Sequence, residues 1–222
     1  LPNSRRSEQL SAILLPLRSK SPALNDIAAN GLSLPVAQEL ARQYYPANSA
    51  SPQIMSSGIS QIWDEDLRHH LVCNLYDESG GENVKESHIA LLERFVRGVG
   101  LDPKTIKTIP GSPTDELINT FLHTCLSGPD YRALAILHSF EDLFAPLCGL
   151  IAAGIEKSGV VDHHTGEFFR LHAVADILHA ERMRVAMLKA ADSEEKWREC
   201  LVLVERGANL LFRLFDGAAR AK

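Results

Sequence analysis

Nowhere in this chain do polar and apolar residues alternate for long enough to make a half-buried strand, and β-branched residues never cluster. Apolar residues recur instead at helical spacing, between glycines, prolines and capping side chains. Such a chain can bury a core only by packing amphipathic helices against one another. Helices are expected over 7–17 and over 22–30, the second stopped at Asn30-Gly31. Ser33 ahead of Leu34-Pro35, with Val36, Leu40 and Tyr44 on one face, opens a third helix of about 14 residues. A long helix is expected over 51–79, its inner side formed by Ile54, Ile59, Ile62, Leu67, Leu71, Asn74 and Glu78, and Gly80-Gly81 ends it. Further helices should start near Lys85, after Ser112-Pro113, after Gly128-Pro129, at Glu167, and at the capping box Asp192-Ser193-Glu194-Glu195. No repeat period is present, so the expectation is an all-α, compact seven- to eight-helix bundle and not a solenoid.

With 222 residues, 45% of them apolar, one core suffices. A single domain over 1–222 is therefore expected, with 1–6 a flexible, trimmed tail and not an export signal. The net charge of -5 is spread over mixed acids and bases, which gives no basic stripe for nucleic acid. The longest apolar stretches are broken by Pro146, Glu205, Arg206 and Arg213, short of the roughly 20 residues a membrane span needs. Four scattered cysteines, Cys73, Cys125, Cys148 and Cys200, lie in apolar helical patterns, as reduced thiols of a cytoplasmic protein do.

The most informative segment holds His172, Asp176 and His179 at i, i+4 and i+7. On a helix these project from one side over about 10 Å of axis and are suited to iron, although a polar face with ordinary histidines has the same spacing. Glu141 lies among Leu137, Phe144, Leu147, Cys148 and Ile151, where an unpaired carboxylate is costly to bury, so it needs a partner. Glu78 sits just before the diglycine and His88 just after it, and the turn between them can bring both to one ion. Three carboxylates and three imidazoles from four helices are enough for two iron ions, with positions left for oxygen and substrate. His138, three residues before Glu141, is a candidate outer partner. Tyr44 or Tyr45 can reach the cavity, while Trp63 and Trp197 are assigned to packing. Arg170, Arg182, Arg206 and Arg213 are candidate anchors for an acidic substrate. No phosphate loop, GxSxG elbow or HExxH occurs. A Cys-His nucleophile and a helical interaction scaffold stay open, though a scaffold gives Glu141 and Asp176 no reason to be there.

These residues resemble the haem-oxygenase-like di-iron oxidases and oxygenases, a branch of the TENA/THI-4 and PqqC superfamily. The resemblance is carried by Ala29-Asn30-Gly31-Leu32-Ser33, Gln43-Tyr44-Tyr45, the segments 74–80 and 88–92, Glu141, and His172-x3-Asp176-x2-His179 with the preceding Phe168-Phe169. It implies a haem-oxygenase-like bundle without haem, often a homodimer, with Glu78, His88, Glu141, His172, Asp176 and His179 as ligands and catalytic residues. Two irons, Fe(II)/Fe(III), would act with O2 on a small-molecule substrate, by N-oxygenation, carbon-carbon cleavage or decarboxylation, drawing electrons from the substrate or an external donor. One branch, similar to the chlamydial death-domain-associated protein, makes p-aminobenzoate from its own tyrosine. That branch carries tyrosine just before the mid-chain glutamate, where this chain has Phe140. The remaining alternative is a metal-free TENA/PqqC-like enzyme or binding module.

Overall fold

Caps and periodicity place most helices where expected. The computed structural model describes residues 2–221, and among them nine α-helices and two short 3-10 turns, Val84–Glu86 and Pro103–Thr105. The helices are α1 (Pro2–Arg18), α2 (Pro22–Asn30), α3 (Leu34–Ser60), α4 (Glu65–Glu78), α5 (His88–Gly98), α6 (Pro113–Ser127), α7 (Asp130–Ser158), α8 (Glu167–Ala190) and α9 (Glu194–Ala219).

Two expectations are corrected. The break expected before residue 51 falls instead at 61–64, because α3 runs through both Pro46 and Pro52. Each proline withholds a donor from the carbonyl four residues before it, those of Arg42 and Asn48. Around Pro46 side chains bind neighbouring carbonyls, with Thr114 Oγ1 of α6 donating to that of Gln43 at 2.9 Å and Ser49 Oγ to that of Tyr45 at 2.8 Å. The stop that does act is Asp64, whose Oδ1 accepts from Leu67 N at 3.0 Å and opens α4. Trp63 sits at this corner 90% exposed, so it has no packing role. At the other correction, the segment read as a tail is helical from Pro2, and Leu1 lies outside the described residues. Arg6 ties this turn to the end of α8 by donating to the Ala191 carbonyl at 2.8 Å, and to α9 by lying 4.9 Å over the Trp197 ring.

The bundle is built around α7. It lies along α8 over its greatest extent and also touches α1, α2, α3, α6 and α9. By length and composition α7 could cross a membrane, but 72% of its most apolar stretch is buried in the bundle, as in a core helix. On the far side of this pair α4 and α5 pack on α8, so the end of α4 and the start of α5 meet the α7–α8 seam. The link between them needs glycine. Gly80 and Gly81 have φ of +89° and +57°, and a Cβ at Gly80 would press on Asn83 O and come within 2.6 Å of Ser87 N. Ser87 then caps α5 by accepting from Ala90 N, which sets His88 as the first helical residue.

Gly207 lets α9 approach α7 closely. A Cβ there would collide with Ser139 Oγ and lie 2.8 Å from Ile136 Cδ1. Alanine normally gains about 0.5–1 kcal/mol over glycine inside a helix, whereas overpacking costs about 1–3 kcal/mol. Gly207→Ala is therefore expected to destabilise, lowering the thermal midpoint by several degrees in calorimetry; a raised midpoint would show that α7 and α9 are not closely packed there.

Candidate metal centre

All six residues singled out from the sequence converge. His172, Asp176 and His179 occupy the buried side of α8 at 2%, 0% and 2% exposure, facing Glu141 of α7. Their ligand atoms form two groups that share Glu78, one with His88 and His172 and one with Glu141, Asp176 and His179. Within each group the atoms lie within 4.8 Å of one another. His88 Nδ1 is 2.7 Å from Glu78 Oε2. His179 Nδ1 is 3.5 Å from Glu78 Oε1, 3.5 Å from Glu141 Oε2 and 3.3 Å from Asp176 Oδ1.

These short approaches lack hydrogen-bond alignment. His88 Nδ1, His179 Nδ1 and both Asp176 carboxylate oxygens are buried without a hydrogen-bond partner. Buried polar atoms are rarely left so, and lone pairs aimed at one point from several sides are what a cation requires. The donor set of carboxylates and imidazoles fits iron, and Glu78 belongs to both groups.

The charge state without metal agrees. Burial raises Asp176 well above the usual carboxylate range, and Glu141 and Glu78 add to it. Glu141 is raised too, by burial first, against the pull of His179. Glu78 goes down, because His88, His172 and His179 outweigh the burial that opposes them. Burial, then His88, pushes His172 down to about 3. Burial works against a charged His179, yet the adjoining Asp176 and Glu141 carry it up to about 11.

Outer contacts aim the imidazoles. His172 Nδ1 lies 2.8 Å from the Phe168 carbonyl, so that nitrogen carries the proton and Nε2 is free to ligate. His179 turns its Nε2 to Asp77 Oδ2 at 3.4 Å, and Arg182 holds Asp77 at 2.8 Å and Asn74 Oδ1 at 3.1 Å. Asn74 Nδ2 in turn donates to the His179 carbonyl at 3.3 Å. An aromatic wall closes the site, with Phe168 and Phe144 at 4.1 and 5.0 Å from the His172 ring. Tyr44 stacks behind Phe144 at 4.9 Å, its buried hydroxyl without a partner.

The remaining candidates are elsewhere. Tyr45 donates to Glu93 and Tyr131 to Glu199, away from the centre. Arg170 binds the His163 carbonyl, Arg206 contacts Thr120, and Arg213 pairs with Glu116. Of the four arginines only Arg182 bears on the centre, and it acts through Asp77. His138 is 1% exposed but donates to Ala180 O at 3.1 Å rather than to Glu141. Cys125, Cys148 and Cys200 are buried, while Cys73 is half-exposed beside His69. Asp77 was missed, since its only local sign is adjacency to Glu78.

Replacing Asp77 by asparagine should leave helicity unchanged and weaken divalent-metal binding by about 10–100-fold in calorimetric titration; unchanged affinity would deny it this role. Burial raises Asp176 and Glu141, and the adjoining carboxylates raise His179 to about 11, so a metal competes with protons for this cluster. Affinity should then climb as pH rises from about 6 to about 8, with proton release seen as a buffer-dependent enthalpy.

Comparison with known proteins agrees with this geometry. A family model described as iron-containing redox enzyme matches residues 38–212. The 4-aminobenzoate synthase of Nitrosomonas europaea is 30% identical over 188 residues, covering 80% of this chain and 75% of that protein. A domain with a haem-oxygenase-like fold from Shewanella denitrificans superposes with a TM-score of 0.73 at 14% identity, covering 97% of this chain and 90% of that one. A TenA homologue from Pseudomonas syringae pv. tomato gives 0.79 at 13% identity, with 96% and 92% covered. At such identities the two structures establish the fold, which is the haem-oxygenase-like bundle expected. The family match spans well over half of the sequence, and the chain belongs to the family of iron-containing redox enzymes.

Proposed function

We propose that this protein is a non-haem di-iron oxygenase that oxidises a small amino-acid-like or carboxylate metabolite. The observation that carries this reading is Glu78, shared between two buried ligand groups. His88 and His172 would hold one iron with it, and Glu141, Asp176 and His179 the other. Bound iron would supply the electrons and coordination positions that activate dioxygen.

The protein's own groups have definable tasks. Phe144, Phe168 and Tyr44 keep bulk water from one side of the ligands. Phe168 O fixes the His172 tautomer, and Asp77 faces His179 Nε2 so that the proton stays on that nitrogen, which would leave the Nδ1 lone pair to a metal. Asp176 and Glu141, both raised by burial, would bring negative charge to a bound metal as carboxylates.

A second reading is favoured by Tyr44. Its unpartnered hydroxyl is buried and its pKa is raised well above the usual value, by burial first and then by Cys148, Glu78 and Asp176. A tyrosine so placed is available for the self-consuming route to p-aminobenzoate, and a relative bears the name 4-aminobenzoate synthase. Phe140 takes the place next to Glu141 where that branch has tyrosine, and its ring lies 6.4 Å from Tyr44.

Anaerobic titration with ferrous iron, followed by oxygen, tests both. Uptake approaching two irons per chain, lost in Glu78→Ala, supports the centre, and oxygen consumption must follow; no tight uptake would overturn it. Intact mass then separates the routes. An unchanged protein that oxidises an added amino acid or fatty acid supports the first, whereas a mass change at Tyr44, absent in Tyr44→Phe, supports the second.

A further inference from the structure

A helix on the surface of a bundle turns its apolar side inward and its polar side outward. α8 is reversed in its middle. Leu171, Val174, Ile177 and Leu178 all face outward, Val174 and Ile177 at 71% and 64% exposure. Inside, Phe168 and Phe169 are buried toward one end and Met183 and Met187 toward the other, while the buried residues between them are His172, Asp176, His179 and Ala180. Of these only Ala180 is apolar, so the middle of α8 gains little hydrophobic hold on the bundle.

Single exposed apolar residues are ordinary, but four together along one helix mark a face that is covered in the working protein. The charges on that face indicate by what. Glu167, Arg170, Val174, Ile177, Glu181 and Arg184 follow one another at steps of three and four residues in turn, the spacing of a seam between two packed helices. Along it the order is acid, base, two apolar residues, acid, base. Against a second α8 running antiparallel, with Val174 opposite Ile177 of the second copy, Arg170 comes opposite Glu181 and Glu167 opposite Arg184. The two-fold axis repeats each pair. A parallel pairing in register would set like charges together, which is repulsive. Among the described residues Arg170 has no carboxylate partner in its own chain; it donates to the His163 carbonyl.

We propose that a second copy of this chain covers α8, the two helices antiparallel in this register, and that this pairing and metal binding strengthen each other. A metal grips the middle of α8 from inside through His172, Asp176 and His179. The second copy grips the same turns from outside through Val174, Ile177 and Leu178. Each holds the arrangement that the other binds, so with either in place less ordering is left for the next. Pairing through the ligand-bearing helix, and its response to metal, go beyond the dimer that the resemblance implies. The response rests on the proposed metal centre, whereas the pairing itself does not.

Sedimentation equilibrium gives the dissociation constant of the pair for the metal-free protein and for protein loaded with Mn(II), and hydrogen exchange follows the α8 amides. The expected result is a dimer that Mn(II) tightens by about fivefold or more, with the middle amides of α8 slowed by metal and by pairing alike. Val174→Glu alters an exposed position, so circular dichroism should stay unchanged while the pair dissociates and Mn(II) binding weakens by about fivefold or more. Glu181→Arg sets two symmetry-related like-charge contacts against Arg170 and should weaken pairing about tenfold. Adding Arg170→Glu should restore it, which loss of a merely structural contact would not allow. A protein that stays monomeric with and without Mn(II), or whose association survives both Val174→Glu and Glu181→Arg, overturns the pairing. Association through α8 that bound Mn(II) leaves unaltered overturns the proposal as well. If the paired protein binds no Mn(II) at all, the metal reading falls together with the response built on it.

Discussion

Three carboxylates and three imidazoles buried in one apolar bundle set the terms for everything around them. Ionised together, Glu78, Glu141 and Asp176 bring more negative charge than a dry interior tolerates, and burial accordingly raises Asp176 and Glu141 while their charge raises His179. Such a cluster is a liability unless a cation meets it. The architecture follows from that need. α7 supplies an apolar spine with one buried acid in it, α8 lays three ligands along the seam, and a glycine turn folds Glu78 and His88 onto them.

Much of the centre was legible in the sequence because its signals are local. The i, i+4, i+7 spacing of His172, Asp176 and His179 is a property of one helix, and an acid among apolar neighbours marks Glu141 without any knowledge of partners. The pairing of Glu78 with His88 was readable since a short turn joins them. The rest depends on how helices cross. Asp77 meets His179 and Arg182 only when α4 lies on α8, and Arg18 reaches Asp142 from 124 residues away. His138 stands on nearly the same face as Glu141, yet rotation along α7 turns it to Ala180 and a different cavity.

The fold was legible in class and in most boundaries for the same reason. Caps such as Ser112 and Ser193 act within one turn, and both are seen accepting from their helix. The error at 47–64 arose where a local rule met a tertiary remedy. Pro46 reads as a stop, but α3 continues through it, held there by Thr114 of another helix, which donates to the Gln43 carbonyl. The helical start of α1 likewise depends on Arg6 finding the end of α8 and the Trp197 ring of α9.

Sharing Glu78 between two ligand groups makes the two positions thermodynamically inseparable. An ion in either group orients the carboxylate that the other must use and alters the charge it sees. By reciprocity, whatever the first ion does to the affinity for the second, the second does to the first. Were both groups to take iron, its content would be a cooperative variable, with half-filled and filled protein as distinct chemical species whose proportions respond to the free metal concentration.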